Sequence, residues 1–239
     1  MAIDKLVDEE IKKAEDFASL GSVEVMEKHL KCALEIVDGL KDYKSCKDLE
    51  NKARAIEKEG YFIGLNRSID KAKEYALKGN DLLMENELRM AKHCAHKVSI
   101  EITKEVGEIK RVGYSQALPE RIKKARIDAS KGDIHNMEKM IARILTYANY
   151  VGGDILENTL FHTEIIRIKG YFNNIDLSFC QALKALEKGN NYYAKECILR
   201  VKKQFEKLGF CEHMDYFNEK LREFKGYNCK AQKIVDTIF

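Results

Sequence analysis

One dipeptide recurs along this chain at intervals that few fold classes accommodate. Gly-Tyr occurs four times, as Gly60-Tyr61, Gly113-Tyr114, Gly170-Tyr171 and Gly226-Tyr227. With 14 Gly and 11 Tyr in 239 residues, chance gives 14 × 11 / 239, or about 0.6. A second marker, alanine followed seven residues later by glycine, keeps the same register at Ala14/Gly21, Ala72/Gly79, Ala125/Gly132 and Ala182/Gly189. Four units follow, at 1–61, 62–114, 115–171 and 172–227, with 228–239 left as an atypical C-terminal cap of the kind that ends repeat arrays.

The spacing within each unit is that of a tight helical hairpin. Around the alanine lie Ile11, Ile69, Ile122 or Phe179 three residues before, and Ala18, Ala76, Ala129 or Leu186 four residues after, which puts them on one helix face. The glycine suits the left-handed end of that helix, and Ser22, Asn80, Asp133 or Asn190 directly after it suits the cap of the next. The second helix then carries an unbroken apolar stripe: Met26, Leu30, Ala33, Val37; Met84, Leu88, Ala91, Ala95; Met137, Ile141, Ile144, Ala148; Ala194, Ile198, Val201, Phe205. A third helix is expected over 44–59, 101–112, 155–169 and 211–225, ended by Gly-Tyr, whose tyrosine would fold back on the last helical turn. Pro119 and the candidate caps Ser68 and Asp176 point to a fresh helix start soon after, so an angled or kinked junction is favoured over a nearly in-line one or a two-unit period, and about twelve helices are expected in all. One Pro and no Trp also argue against a β-sandwich. The expected fold is all-α: a single domain, 1–239, of four tandem three-helix units of about 56 residues in an α-solenoid-like array.

The hairpin spelled Ala-x6-Gly-x4-Met/Ala-x6-Ala, best seen in KAEDFASLGSVEVMEKHLKCALEI and KAKEYALKGNDLLMENELRMAKHCA, resembles a tetratricopeptide helix pair. The resemblance covers under half of the chain. The period is longer than the family's, a third helix is added, and the family's early Trp and closing Pro are not regular. What the resemblance implies is a scaffold that binds proteins or peptides on a concave face, with no catalytic residues and no cofactor.

Residues that could carry chemistry are few. His93-Cys94-x-His96 is the densest ligand-like cluster, and His93 and His96 share a helix face, but zinc takes three or four ligands and no second cluster completes the set. A polar face beside Ala91 and Ala95 is the expected reading. No G-x-S-x-G is present, and Gly152-Gly153-Asp154 lacks the context of a phosphate loop and reads as the end of a helix. Glu27, Glu85 and Glu138 each follow a buried methionine and point to an exposed or inter-unit ion pair; a diiron centre would need Glu-x-x-His, which is missing. Seven scattered cysteines without C-x-x-C read as reduced thiols, mostly buried. No secretory signal and no apolar run of membrane-spanning length is seen, so a cytoplasmic location away from membranes is expected.

Charge is graded. Residues 1–60 hold 11 basic and 15 acidic side chains (−4), 179–239 hold 12 and 8 (+4), and the whole chain is +3. Head-to-tail self-association or an extended charged partner would exploit that gradient. Lys71, Lys73, Lys78, Lys123, Lys124, Arg126 and Lys131 on the first helices keep nucleic acid open as an alternative partner. The function expected first is a non-enzymatic scaffold for a protein or peptide; the sequence does not assign the partner-binding residues and leaves open whether Phe210, Tyr216 and Phe217 form a contact patch.

Overall fold

In a computed structural model the backbone is described for residues 2–38, 43–209 and 213–239, while the side chains of 2–4 and 43–46 fall outside the description. Among the described residues there are ten helices and no strand. Two compact units divide at Ala117/Leu118. The first holds α1 (Ala2–Ser19), α2 (Val23–Asp38), α3 (Tyr43–Leu77), α4 (Asp81–Lys97) and the start of α5 (Thr103–Ser130). The second holds the rest of α5, α6 (Ile134–Val151), α7 (Gly153–Glu187), α8 (Asn191–Leu208), α9 (Met214–Tyr227) and α10 (Cys229–Ile238).

All four hairpin turns form as their residues dictate. Gly21, Gly79, Gly132 and Gly189 adopt φ between 62 and 74°, a region costly for residues with a Cβ. Each closes a Schellman motif: Gly21 N–H donates to Ala18 C=O and Ser22 N–H to Phe17 C=O, both at 2.9 Å, and the other three repeat the pattern. The side chains of Asn80, Asp133 and Asn190 then accept from the third backbone N–H of the following helix. All sixteen stripe positions of the second helices are buried. So are the alanines at 14, 72, 125 and 182, which lets the paired helices approach closely.

The junctions between units differ from expectation. Three of the four Gly-Tyr pairs end no helix: Gly60, Gly113 and Gly170 lie inside α3, α5 and α7, each a continuous helix where two were expected. Pro119 sits within α5, and Ser68 and Asp176 lie inside α3 and α7 as well, so none begins a helix. Three fusions lower the expected twelve helices to nine, and α10 makes ten. The physical reason is steric. A Cβ at Gly60, Gly113 or Gly170 would stand 2.1 Å from the Sδ of Met26, Met84 or Met137, and 3.2–3.3 Å from Ala18, Ala76 or Ala129. The glycines are there for contact with the preceding hairpin, and helical conformation suffices for that.

Gly226 is the exception. Ala194 stands where the other hairpins have methionine, and Leu186 where they have alanine. The apolar residues of α9 fall at Phe217, Leu221 and Phe224, out of phase with Ala53/Ile56, Val106/Ile109 and Thr163/Ile166 of the other copies relative to their glycines. A Cβ at Gly226 would meet nothing within 4 Å, and α9 does end at Tyr227. Closing this end, α10 adds Ala231, Ile234, Val235 and Ile238 to the core built by α8 and α9.

Opposite outcomes are therefore expected for one substitution at equivalent places. Gly113→Ala forces Met84 aside and lowers stability by about 1–3 kcal/mol, whereas Gly226→Ala relieves the helical glycine penalty and raises it by roughly 0.5–1 kcal/mol. Urea denaturation of the two variants checks this.

Candidate functional site

The residue after each methionine pairs with the residue after each helical glycine. Tyr61 O–H donates to Glu27, Tyr114 O–H to Glu85, and Tyr171 O–H to Glu138 at 3.0 Å. Met-Glu on one helix thus docks onto Gly-Tyr on the next, methionine filling the glycine notch and carboxylate meeting phenol. Cations join from the tyrosine's own helix: Lys110 Nζ lies 2.8 Å from Glu85, and Arg167 Nε 3.0 Å from Glu138. Lys97 lies 5.4 Å from the centre of the Tyr61 ring. The expected ion pair of the recurrent glutamates forms at Glu85 and Glu138, joined by a tyrosine that lies inside a helix and not at its end. In the fourth copy Lys195 replaces the glutamate, and Tyr227 is left exposed, 3.4 Å from Glu187.

Burial first, and the facing carboxylate second, hold the Tyr61 and Tyr171 phenols protonated beyond their usual range. Tyr171 is pushed up to about 12, and Tyr61 is raised in the same direction. These clusters are structural in chemistry: a protonated phenol bound to a carboxylate is neither nucleophile nor base at neutral pH.

The other expected sites are placed as follows. Cys94 is buried with its sulfur toward Gly64 of α3, while His93 and His96 are exposed, so the three do not converge. Among the described residues no group of three or more His, Cys, Asp or Glu side chains could hold a metal ion. Lys71 lies 3.7 Å from Glu87, Lys73 2.7 Å from Glu105 and Lys123 3.9 Å from Glu120, and Lys78 pairs with Glu74. Four of the seven basic residues proposed for nucleic acid thus already face carboxylates. Of the three C-terminal aromatics left open above, Phe217 is buried against Phe205, Tyr216 is half-buried and donates to Asp176 at 2.6 Å, and Phe210 lies outside the described residues. Three of the five described cysteines (32, 180 and 229) are exposed, against the expectation of mostly buried thiols; Cys46 and Cys211 lie outside the description. No described helix is long and apolar enough to cross a membrane.

A groove is a further candidate. It lies in the first unit between α2 and the first half of α3, with a volume of about 730 Å³. Its floor is Leu30, Leu34, Val37 and Ala53, and its rim carries Glu27, Glu35, Asp38, Glu50 and Glu57 against Lys31 and Arg54. Apolar floor and charged rim together suit a macromolecular segment better than a small substrate, for which convergent polar groups would be needed. No sequence motif marks it.

Tyr171→Phe is expected to cost about 1–2 kcal/mol at neutral pH, since Arg167 still neutralises Glu138. The folded state holds the Tyr171 proton more tightly than the unfolded chain does, so this contribution is full below pH ~10 and fades as pH rises toward ~12. Denaturation midpoints across that window should fall more steeply in the parent protein than in Tyr171→Phe. No family model, curated protein or solved structure matches this chain.

Proposed function

We propose that this chain is a non-enzymatic, tetratricopeptide-like helical-repeat scaffold that binds a protein or peptide. Its four units stack in an α-solenoid-like array, the third helix of each continuing into the first helix of the next. The reading rests above all on recurrence: the same Met-Glu and Gly-Tyr residues make the same contact three times. Sequence devoted to stacking helices, with an open apolar groove beside it, is how repeat proteins present extended surfaces to a partner. The paired state of Lys71, Lys73, Lys78 and Lys123 favours this reading over nucleic-acid binding.

A peptide-display selection on the immobilised protein, run beside generic RNA and DNA at low salt, separates the alternatives. Peptides that converge on one pattern and compete with one another are expected. Failure of any peptide to enrich, together with salt-sensitive retention of nucleic acid, would contradict the scaffold reading.

A further inference from the structure

Aligned on Gly60, Gly113 and Gly170, the third copy differs from the first two on one face. Nine, five and two residues before the glycine stand Asn51, Ala55 and Lys58 in the first copy and Lys104, Glu108 and Arg111 in the second, none of them large and apolar. In the third copy the same positions are Phe161, Ile165 and Ile168. Phe161 is 67% exposed and Ile165 47%, while Ile168 is half-buried. Thr159 and Thr163, on the opposite side of α7, are buried at 4% and 2%. Packing within the unit therefore does not account for the exposed stripe, and the other two copies do without it. The fourth copy repeats it as Phe217, Leu221 and Phe224, and there the three belong to a core shared with α8 and α10.

The spacing is that of a coiled-coil seam. With Phe161 and Ile168 at d, Asn158 and Ile165 fall at a, Glu157 and Glu164 at g, and His162 and Lys169 at e. The buried side is made of b and f, with Thr159 and Ile166 at b and Thr163 at f, so the seam and its flanks turn away from the unit's own core. Asn158, both glutamates, His162 and Lys169 are all exposed. The seam stops at Ile168, because the next a residue, Phe172, packs against the rings of His213 and Tyr216 at 5.0 and 4.6 Å.

We propose that this seam is a self-association surface, on which α7 of a second copy of the chain packs in parallel across a two-fold axis. Charge selects both the occupant and its direction. In a parallel pair each g side chain meets the e side chain five residues further along the other helix. Glu157 then faces His162 of the second copy and Glu164 faces its Lys169, each contact made twice by symmetry. An antiparallel pair would set g against g and e against e, glutamate on glutamate and lysine on histidine. Glu164 bonds Arg167 through Oε2 at 2.8 Å and is still 59% exposed, which leaves Oε1 to take a lysine. Asn158 at a fixes the register of such a pair, and the β-branched Ile165 at a favours two strands. A seam of three apolar residues per helix is short, so association in the micromolar range is expected.

Sedimentation equilibrium of the 239-residue chain through the micromolar range reads the association, and oxidative cross-linking reads its direction. The parent should approach the dimer mass as concentration rises. Ile165→Asp changes an exposed side chain, so it should keep the parent's circular dichroism and melting, yet weaken dimerisation at least about tenfold. Lys169→Glu should weaken it too, and Glu164→Lys/Lys169→Glu should restore most of the loss. Cysteine placed at Asn158 or at Ile165 should cross-link to its own copy, above the level set by the native cysteines, because equivalent a positions meet in a parallel pair. Three results would each overturn the proposal: a parent that stays monomeric throughout, even if a different protein is found to cover the stripe; a dimer indifferent to Ile165→Asp; or cysteines at Asn158 and Ile168 that join each other between copies while the cysteine at Asn158 does not join itself.

Discussion

A methionine sulfur resting over a helical glycine is the contact on which the other helix positions depend. At Gly60, Gly113 and Gly170 the space a Cβ would need is taken by Met26, Met84 and Met137. Close approach brings a second layer of contacts. The glutamate after each methionine reaches the tyrosine after each glycine, and the hairpin turn glycines settle against the same long helices, Gly21 on Gly64, Gly79 on Gln116 and Gly132 on Asn174. Methionine suits the task, because an unbranched, polarisable side chain fills a shallow notch without a fixed shape. Losing it loses the rest: with Ala194 and Lys195 in the fourth copy, Gly189 and Gly226 meet nothing and Tyr227 stands exposed.

That comparison explains what the sequence could disclose. The hairpins were legible because their rules are local: a left-handed glycine, a cap after it and a stripe at helical spacing need no knowledge of distant residues. The sixteen buried stripe positions follow from periodicity alone. The junctions were not legible, because glycine in a sequence signals a helix end and a close crossing equally well, and only the partner decides. Gly113 has Met84 above it and stays helical; Gly226 has no such partner and stands one residue from the end of α9. Pro119 misled for a related reason. A proline removes one backbone donor, a loss that a helix as long as α5 absorbs when its other faces are held.

The functional surface was less legible still. Local motifs directed attention to His93, Cys94 and His96, of which Cys94 is buried and the two histidines are exposed, and to lysines whose charges are largely met by neighbouring carboxylates. The groove between α2 and α3 has no signature of its own. It consists of ordinary stripe residues, buried like the rest, and an acidic rim that reads, in sequence, as a solvated face.

The account stands or falls on the coupling between methionine and glycine. A double-mutant cycle at Met84 and Gly113, measured by urea denaturation, addresses it directly. Met84→Ala and Gly113→Ala should each destabilise alone, and together should cost about 1–3 kcal/mol less than their sum, because the new methyl group enters space the methionine has vacated. Additive losses would contradict the claim that this contact sets the helix spacing.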